Sequence, residues 1–345
     1  MAGGAPAPEV LCLGESMAVF VPLESGPAHT VRTWNRTIGG AESNVACHLA
    51  ALGTSSAWVS AVGADPFGRA LVEEIAASGV DVTATYVDPE RPTGVYFKEP
   101  GARGGPVRYY RAGSAASGMG PGLLAELDLG GVRLIHLSGI TPALSPSCAE
   151  LVRAVLTAPR EGRLVSFDVN WRPALWPGGD GALLAELANL ADIVLVGDDE
   201  AEVVWGTGDA HALRALVPQP ATLVVKHGER GATLLERDRD AVFEPALRVR
   251  VVEPVGAGDA FAAGFLAATL RGAAPRLRLR QGHLQAASTL LTQDDVGLPL
   301  PPGVVGELLE ADESVWAAAE LTARAVQRRN RLGESAMRSV AREDA

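Results

Sequence analysis

The sequence predicts a three-layer α/β/α fold with a mostly parallel central sheet and a small β-sheet lid. Two observations carry that prediction. Short apolar, β-rich runs alternate with longer helical patterns, the rhythm of a parallel sheet covered by helices on both faces. Two segments, 19–36 and 93–111, break the rhythm with Val, Tyr, Phe, Trp and turn residues but no helical period. At 345 residues and 47% hydrophobic, the chain can bury a large core.

In chain order, 10–14 reads as a strand and 41–52 as a helix with Val45, Leu49 and Leu52 on one face and Gly53 at its end. Next come a strand over 57–63 and a helix over 67–78, stopped by Gly79. Strands follow at 134–138, 164–168, 193–196 and 223–226, with helices near 146–156, 181–190 and 198–204 between them. The run 247–251 alternates Leu247, Val249 and Val251 with Arg248 and Arg250, and reads as a further strand. The segments 19–36 and 93–111 read as antiparallel strands, separate in sequence but paired in space, covering the end of the sheet where α/β ligands bind. Two unrelated surface hairpins are the alternative. The expected division is therefore a lid of 19–36 and 93–111, a body of 9–18, 37–92 and 112–312, and a helical or disordered tail over 313–345. That tail is Ala- and Arg-rich, with Arg324, Arg328, Arg329, Arg331, Arg338 and Arg342.

A formal net charge of −11 argues against nucleic acid or an anionic membrane as partner. A phosphate ligand would then need a local positive site. Cys12, Cys47 and Cys148 stand singly in apolar segments without metal-ligand spacing, as reduced core thiols do. The N-terminus has neither the basic region nor the apolar run of a signal peptide, and no stretch suits a membrane span. A cytoplasmic protein is expected.

The most informative stretch is Val255-Gly256-Ala257-Gly258-Asp259, between a strand-like run and a small-residue helical pattern. A glycine turn opening a helix presents free N–H groups at the positive end of the helix dipole, which binds anions and phosphate above all. Asp259 would face that pocket and repel phosphate, unless its task is to take a proton from an attacking hydroxyl. A simple helix start is the alternative. The third glycine of a dinucleotide fingerprint would fall on Phe261, and no Gly-Lys-Ser/Thr follows, so neither a Rossmann site nor a P-loop fits.

Other motifs are weaker alone. Gly39-Gly40-Ala41-Glu42-Ser43-Asn44 allows close ligand approach and supplies an amide for hydroxyls, or merely caps a helix. Asp168, Asn170 and Arg172 alternate beyond a strand end and face one side if the strand continues, with an Asp168–Arg172 salt bridge as the competing account. Tyr109 and Arg111 share a strand face and suit an acidic, hydroxylated small molecule, with a lid strand carrying one solvated Arg as the alternative. Lys226-His227-Gly228-Glu229-Arg230-Gly231-Ala232 either lies against a nucleotide or is a hairpin turn. Asp198, Asp199 and Glu200 favour a helix dipole, while Glu200 can also organise magnesium-bound water.

Taken together and in order, these motifs resemble those of the ribokinase-like (PfkB) carbohydrate kinases over roughly residues 9–309, and within them the 2-keto-3-deoxygluconate (KDG) kinases. The second resemblance rests on Gly-Gly-Ala-Glu at 39–42, Tyr-Tyr-Arg-x-Gly-Ser-Ala at 109–115, the run at 137–145 and Asp-Val-Asn-x-Arg-x-x-Leu-Trp at 168–176. It implies phosphorylation of a sugar acid's terminal hydroxyl by ATP with Mg²⁺, K⁺ being an optional addition. Asp259 would be the base, and the N–H groups of Ala257, Gly258 and Asp259, beyond Gly256, would stabilise the transferred phosphoryl group. Gly40 to Asn44, Tyr96, Tyr109, Tyr110, Arg111, Ile140, Arg172 and Asp295 match substrate positions, with Arg111 and Arg172 holding the carboxylate. Asp168, Asn170, Gly197, Lys226, His227, Gly228, Gly231, Ala232 and His283 match the nucleotide side, and Glu200 would hold magnesium through water. A homo-oligomer formed through the lid is also implied. Departures from the pattern are the lack of an aspartate in Gly14-Glu15-Ser16-Met17, Gly197-Asp198-Asp199-Glu200 in place of Asn-x-x-Glu, His283 for asparagine and Glu253 for aspartate. A neutral-sugar kinase of fructokinase type and a non-catalytic sugar-acid sensor are the rival readings.

Overall fold

Apolar residues alternate along seven of the eight central strands, sending side chains into two separate cores, and that pattern sets the architecture. A computed structural model describes residues 7–99, 107–297 and 299–322. Its strands are β1 (Val10–Leu13), β2 (Met17–Pro22), β3 (Trp34–Gly39), β4 (Ser56–Val59), β5 (Ala61–Gly63), β6 (Tyr86–Asp88), β7 (Val95–Lys98), β8 (Val107–Tyr110) and β9 (Leu134–Ser138). They continue with β10 (Leu164–Asp168), β11 (Ile193–Gly197), β12 (Thr222–Lys226), β13 (Ala232–Glu236), β14 (Val242–Glu244), β15 (Arg248–Val249) and β16 (Glu320–Leu321). The helices are α1 (Ala41–Ala51), α2 (Pro66–Ala77), α3 (Pro146–Thr157), α4 (Gly181–Leu190), α5 (Asp198–Trp205), α6 (Ala210–Leu216), α7 (Ala257–Leu270), α8 (Pro275–Leu290), α9 (Pro302–Glu310) and α10 (Glu313–Ala318).

The central sheet has the order β14-β13-β12-β11-β10-β9-β1-β4, parallel except at the β12–β13–β14 edge. Leu11, Leu13, Ile135, Leu137, Val165 and Phe167 pack with α3, α4 and α6 on one face. Val10, Cys12, Leu134, Ile193, Leu195 and Val224 pack with α1, α2, α7 and α8 on the other. Period-two alternation across a sheet covered on both sides gives the three layers. Cys12, Cys47 and Cys148 are free and buried in these cores. Among the described residues, no helix is long and apolar enough to cross a membrane.

Four expectations change. The strand over 57–63 is two: the chain leaves the central sheet at Ser60, whose carbonyl accepts from Tyr86 N, and β5 pairs with β6 instead. The two excursions do form one sheet, β3-β2-β7-β8, but the β2–β7 junction joining them is parallel, while β2–β3 and β7–β8 are antiparallel. Its strands also run past the predicted limits, starting at Met17 and ending at Gly39, because Met17 and Val19 bury against Tyr96. The run 247–251 contributes only the two-residue β15, which pairs with β16 outside the central sheet. Residues 313–322 open the expected helical or disordered tail as the helix α10, but packed on the body: Trp316 is fully buried, and its Nε1 donates to Pro245 O at 2.8 Å. Residues 323–345, with the Arg-rich run, and 100–106 of the second excursion lie outside the described residues.

Candidate active site

Two helices begin at one cavity of about 1430 Å³ at the carboxyl ends of the parallel strands. Gly40 precedes α1 and Gly256 precedes α7. At Gly40 the backbone packs so closely that a Cβ would lie 2.4 Å from Glu15 O. Gly256 has φ +83°, in the left-handed region that favours glycine, and a Cβ there would lie 2.3 Å from Asp295 O. With no side chain to cap α7, its first-turn N–H groups open on the cavity. Ala257 N has a long 3.4 Å contact to Pro254 O, which leaves Gly258 and Asp259 as the freer donors.

Asp259 lines the cavity and is held by Asn44, whose Nδ2 donates to Oδ2 at 2.8 Å. Burial raises the Asp259 pKa to about 7; the Asn44 hydrogen bond opposes that rise, and nearby Asp168 adds to it. A carboxyl balanced near neutrality can accept a proton and return it. If Asp259 is the base, it works deprotonated, and kcat/KM for the acceptor should rise with pH through a limb near 7. Asn44→Leu should move that limb upward, since the bond that favours the charged form is gone. A profile flat from pH ~6 to ~8 would remove Asp259 from this role.

Asp168 and Lys226 leave the same sheet face at the ends of β10 and β12, and Lys226 Nζ reaches both Asp168 oxygens, at 3.0 and 2.7 Å. Burial alone would lower the Lys226 pKa, but the Asp168 and Glu200 carboxylates outweigh it and the pKa rises. Asp168, Asn170 and Arg172 all line the cavity, but not by strand alternation, because the strand does not continue. β10 ends at Asp168 and Asn170 turns the chain at φ +38°. Arg172 Nη1 therefore donates to Glu200 Oε1 at 3.2 Å, and no Asp168–Arg172 bridge forms. Glu200 Oε2 also accepts from Gly197 N at 3.3 Å, and burial raises its pKa. Among the described residues no cluster of His, Cys, Asp and Glu can hold a metal directly.

The small sheet supplies the other end. Tyr96 Oη donates to Asp295 Oδ2 at 3.1 Å, and the Arg111 guanidinium lies 5.6 Å from the Tyr109 ring centroid. Arg111 is not the free cation expected: Nε donates to Glu15 Oε2 at 2.6 Å, and Ser114 Oγ donates to Glu15 Oε1 at 2.5 Å. Its buried Nη2 faces the same Glu15 oxygen without a hydrogen bond of its own. Gly40, Ala41, Ile140, Gly197, Gly228, Gly231 and His283 also line the cavity. His283 Nε2 sits 3.1 Å from Glu244 O, and burial lowers its pKa to about 4.

Five predicted residues lie off the cavity wall. Glu42 is fully buried behind it, Oε1 accepting from Ser138 N, Ser138 Oγ and Thr141 Oγ1, so it shapes the loop that carries Ile140. Ser43 Oγ donates to Ser16 Oγ and to Gly40 O. Tyr110 alternates to the outer face and is exposed, as strand period requires after Tyr109. His227 is spent between Asp198 and Thr233, and Ala232 begins β13, because 226–232 is a hairpin turn closed by His227 N to Gly231 O at 2.8 Å. Sequence reasoning missed Glu15, Lys98 and the wall over 246–249. Lys98 was within reach, since it shares a strand face with Tyr96 two residues earlier.

A helix N-terminus beside a half-buried carboxylate, with polar side chains across the same cavity, fits a phosphotransferase class of site. Residues 7–301 match the pfkB family of carbohydrate kinases. The chain is 35% identical to the 2-dehydro-3-deoxygluconokinase of Bacillus subtilis, over 84% of this chain and 92% of that one. It is 32% identical to the 2-dehydro-3-deoxygalactonokinase of Haloferax volcanii, over 89% and 98%. The PfkB protein from Polaromonas sp. JS666 superimposes with TM-score 0.78 at 33% identity, covering 88% of this chain and all of that one. The chain belongs to the pfkB family of carbohydrate kinases.

Proposed function

We propose that the protein phosphorylates the terminal hydroxyl of a sugar acid with ATP, taking 2-keto-3-deoxygluconate to its 6-phosphate. The observation that supports the substrate class is that the Arg111 guanidinium, though ion-paired with Glu15, lines the cavity that holds Asp259. A guanidinium there can add a charge-assisted, planar contact to a ligand carboxylate. Arg172, on the cavity wall, is the second candidate for that carboxylate. The relatives named as kinases of the gluconate- and galactonate-derived acids point the same way without separating the two.

In the reaction, Asp259 accepts the hydroxyl proton as its oxygen bonds to the γ-phosphorus and the bond to the β,γ-bridging oxygen breaks, releasing ADP. The Gly258 and Asp259 N–H groups meet the charge on the transferred phosphoryl oxygens. Lys226 and the turn 228–231 fit the nucleotide side. Glu200, on the cavity wall, would hold Mg²⁺ through water, and the ion would supply charge neutralisation for the phosphates. The sheet of β2, β3, β7 and β8 serves as the lid. Exposed Leu23 and Tyr110 at its rim and outer face support pairing with a second copy. Free thiols support a cytoplasmic location.

A neutral-sugar kinase is the second reading, and the Glu15 carboxylate that neutralises Arg111 is the observation on its side. Purified protein with ATP and a panel of sugars and sugar acids decides between them. No phosphorylation of any acceptor would return the chain to the sensor reading. A finer test is Arg111→Met in a Glu15→Gln background, which leaves no buried carboxylate orphaned. Acid use should fall about 10- to 100-fold relative to a neutral analogue, the scale of one charge-assisted hydrogen bond. Equal loss on both would make Arg111 structural.

A further inference from the structure

Lys98 ends β7 and carries no role so far. Its Nζ donates to Asp295 Oδ1 at 3.0 Å and lies 3.9 Å from Glu253 Oε2, with the side chain largely buried. The two carboxylates stand on different segments that frame the same turn. Glu253 Oε1 accepts from Val255 N at 3.3 Å, and the Asp295 main chain packs against Gly256. One ammonium from the small sheet thus joins both supports of the turn that opens α7. Without it, the two carboxylates would keep their hydrogen bonds from Tyr96 Oη and Val255 N but lose the counter-charge they share.

We propose that Lys98 is a positioning residue: it locks the small sheet onto Asp295 and Glu253 and thereby holds the Gly256–Asp259 turn in its reactive shape. This rests on the reading of that turn as the phosphoryl-transfer site. The sheet that closes over the acceptor is then the same element that braces the phosphate turn, so one closure completes both halves of the site. The acceptor's carboxylate is left to Arg111 and Arg172.

Lys98→Met keeps the length and removes the charge. Its kcat should fall about tenfold to a hundredfold, the effect of a small misplacement of reacting groups. The loss should be equal for acid and neutral acceptors, with acceptor KM changed little. Added NH₄⁺ at constant ionic strength should restore part of kcat by taking the place of the lost ammonium, while leaving the wild type unaffected. Lys98→Arg should keep more activity than Lys98→Met without any added ion.

A rise in KM confined to acid acceptors would overturn the proposal in favour of a direct grip on substrate. So would a lowered Tm with unchanged kcat. If Lys98→Met fails to fold, Lys98→Gln and Glu253→Gln carry the same comparison, and kcat unmoved in both would likewise overturn it. The assay uses whichever acceptor the wild type turns over best. A wrong sugar assignment is therefore seen in the panel, whereas a wrong role for Lys98 is seen only in the variants.

Discussion

Asp259→Asn is expected to keep the fold and nucleotide binding while lowering kcat by about two to four orders of magnitude, the scale of a lost general base. The amide has the carboxylate's shape, and its oxygen can still accept from Asn44 Nδ2. It cannot take the hydroxyl proton. Replacing a half-buried acid with a pKa near 7 by a neutral group also removes a desolvation cost, so thermal stability should hold or rise slightly. Steady-state kinetics with calorimetric nucleotide titration check both halves. Near-normal turnover would take Asp259 out of the chemistry.

Gly256→Ala should be nearly as damaging for a different reason. A non-glycine residue at φ +83° costs about 1–2 kcal/mol from backbone strain alone. The new methyl would also sit 2.3 Å from Asp295 O, a backbone atom that cannot swing aside as a side-chain end can. The turn and the 295 segment must part, and the α7 N–H groups lose their aim. We expect kcat to fall about 100-fold or more, as when one oxyanion donor is lost. Thermal denaturation and kinetics together read the result, and an alanine variant with normal turnover would show that the turn tolerates re-aiming.

Much of the fold could be read from periodicity because the central strands are short, apolar and two-sided. The strands at 134–138 and 164–168 and the helix at 181–190 emerge with the predicted limits. Errors gather where pairing partners are distant. Nothing local in 247–251 announces that β15 pairs with residues some seventy positions later, or that β13 and β14 turn the sheet edge antiparallel. The site divides in the same way. Positions along one strand, such as Tyr96 and Tyr109 on their own strands, follow from alternation. Pairings between strands do not: Glu15 on Arg111, Glu200 on Arg172 and Lys226 on Asp168 depend on which carboxylate the fold delivers. A sequence shows a cation as available, and only the assembled cavity shows that it already has a counter-charge.

The core that covers β1 and β4 has a temporal side. Residues 257–270 and 275–290, as α7 and α8, pack onto the face bearing Val10, Cys12 and Trp58, strands made more than two hundred residues earlier. While the chain is being synthesised, α1 and α2 are available early to cover part of that face, but the part under α7 and α8 stays bare until most of the protein has left the ribosome. Long-range closure of this kind slows folding and exposes sticky surface meanwhile. The Gly256–Asp259 turn lies at the start of that late segment, so it and the last cover of the oldest strands come from the same stretch of chain.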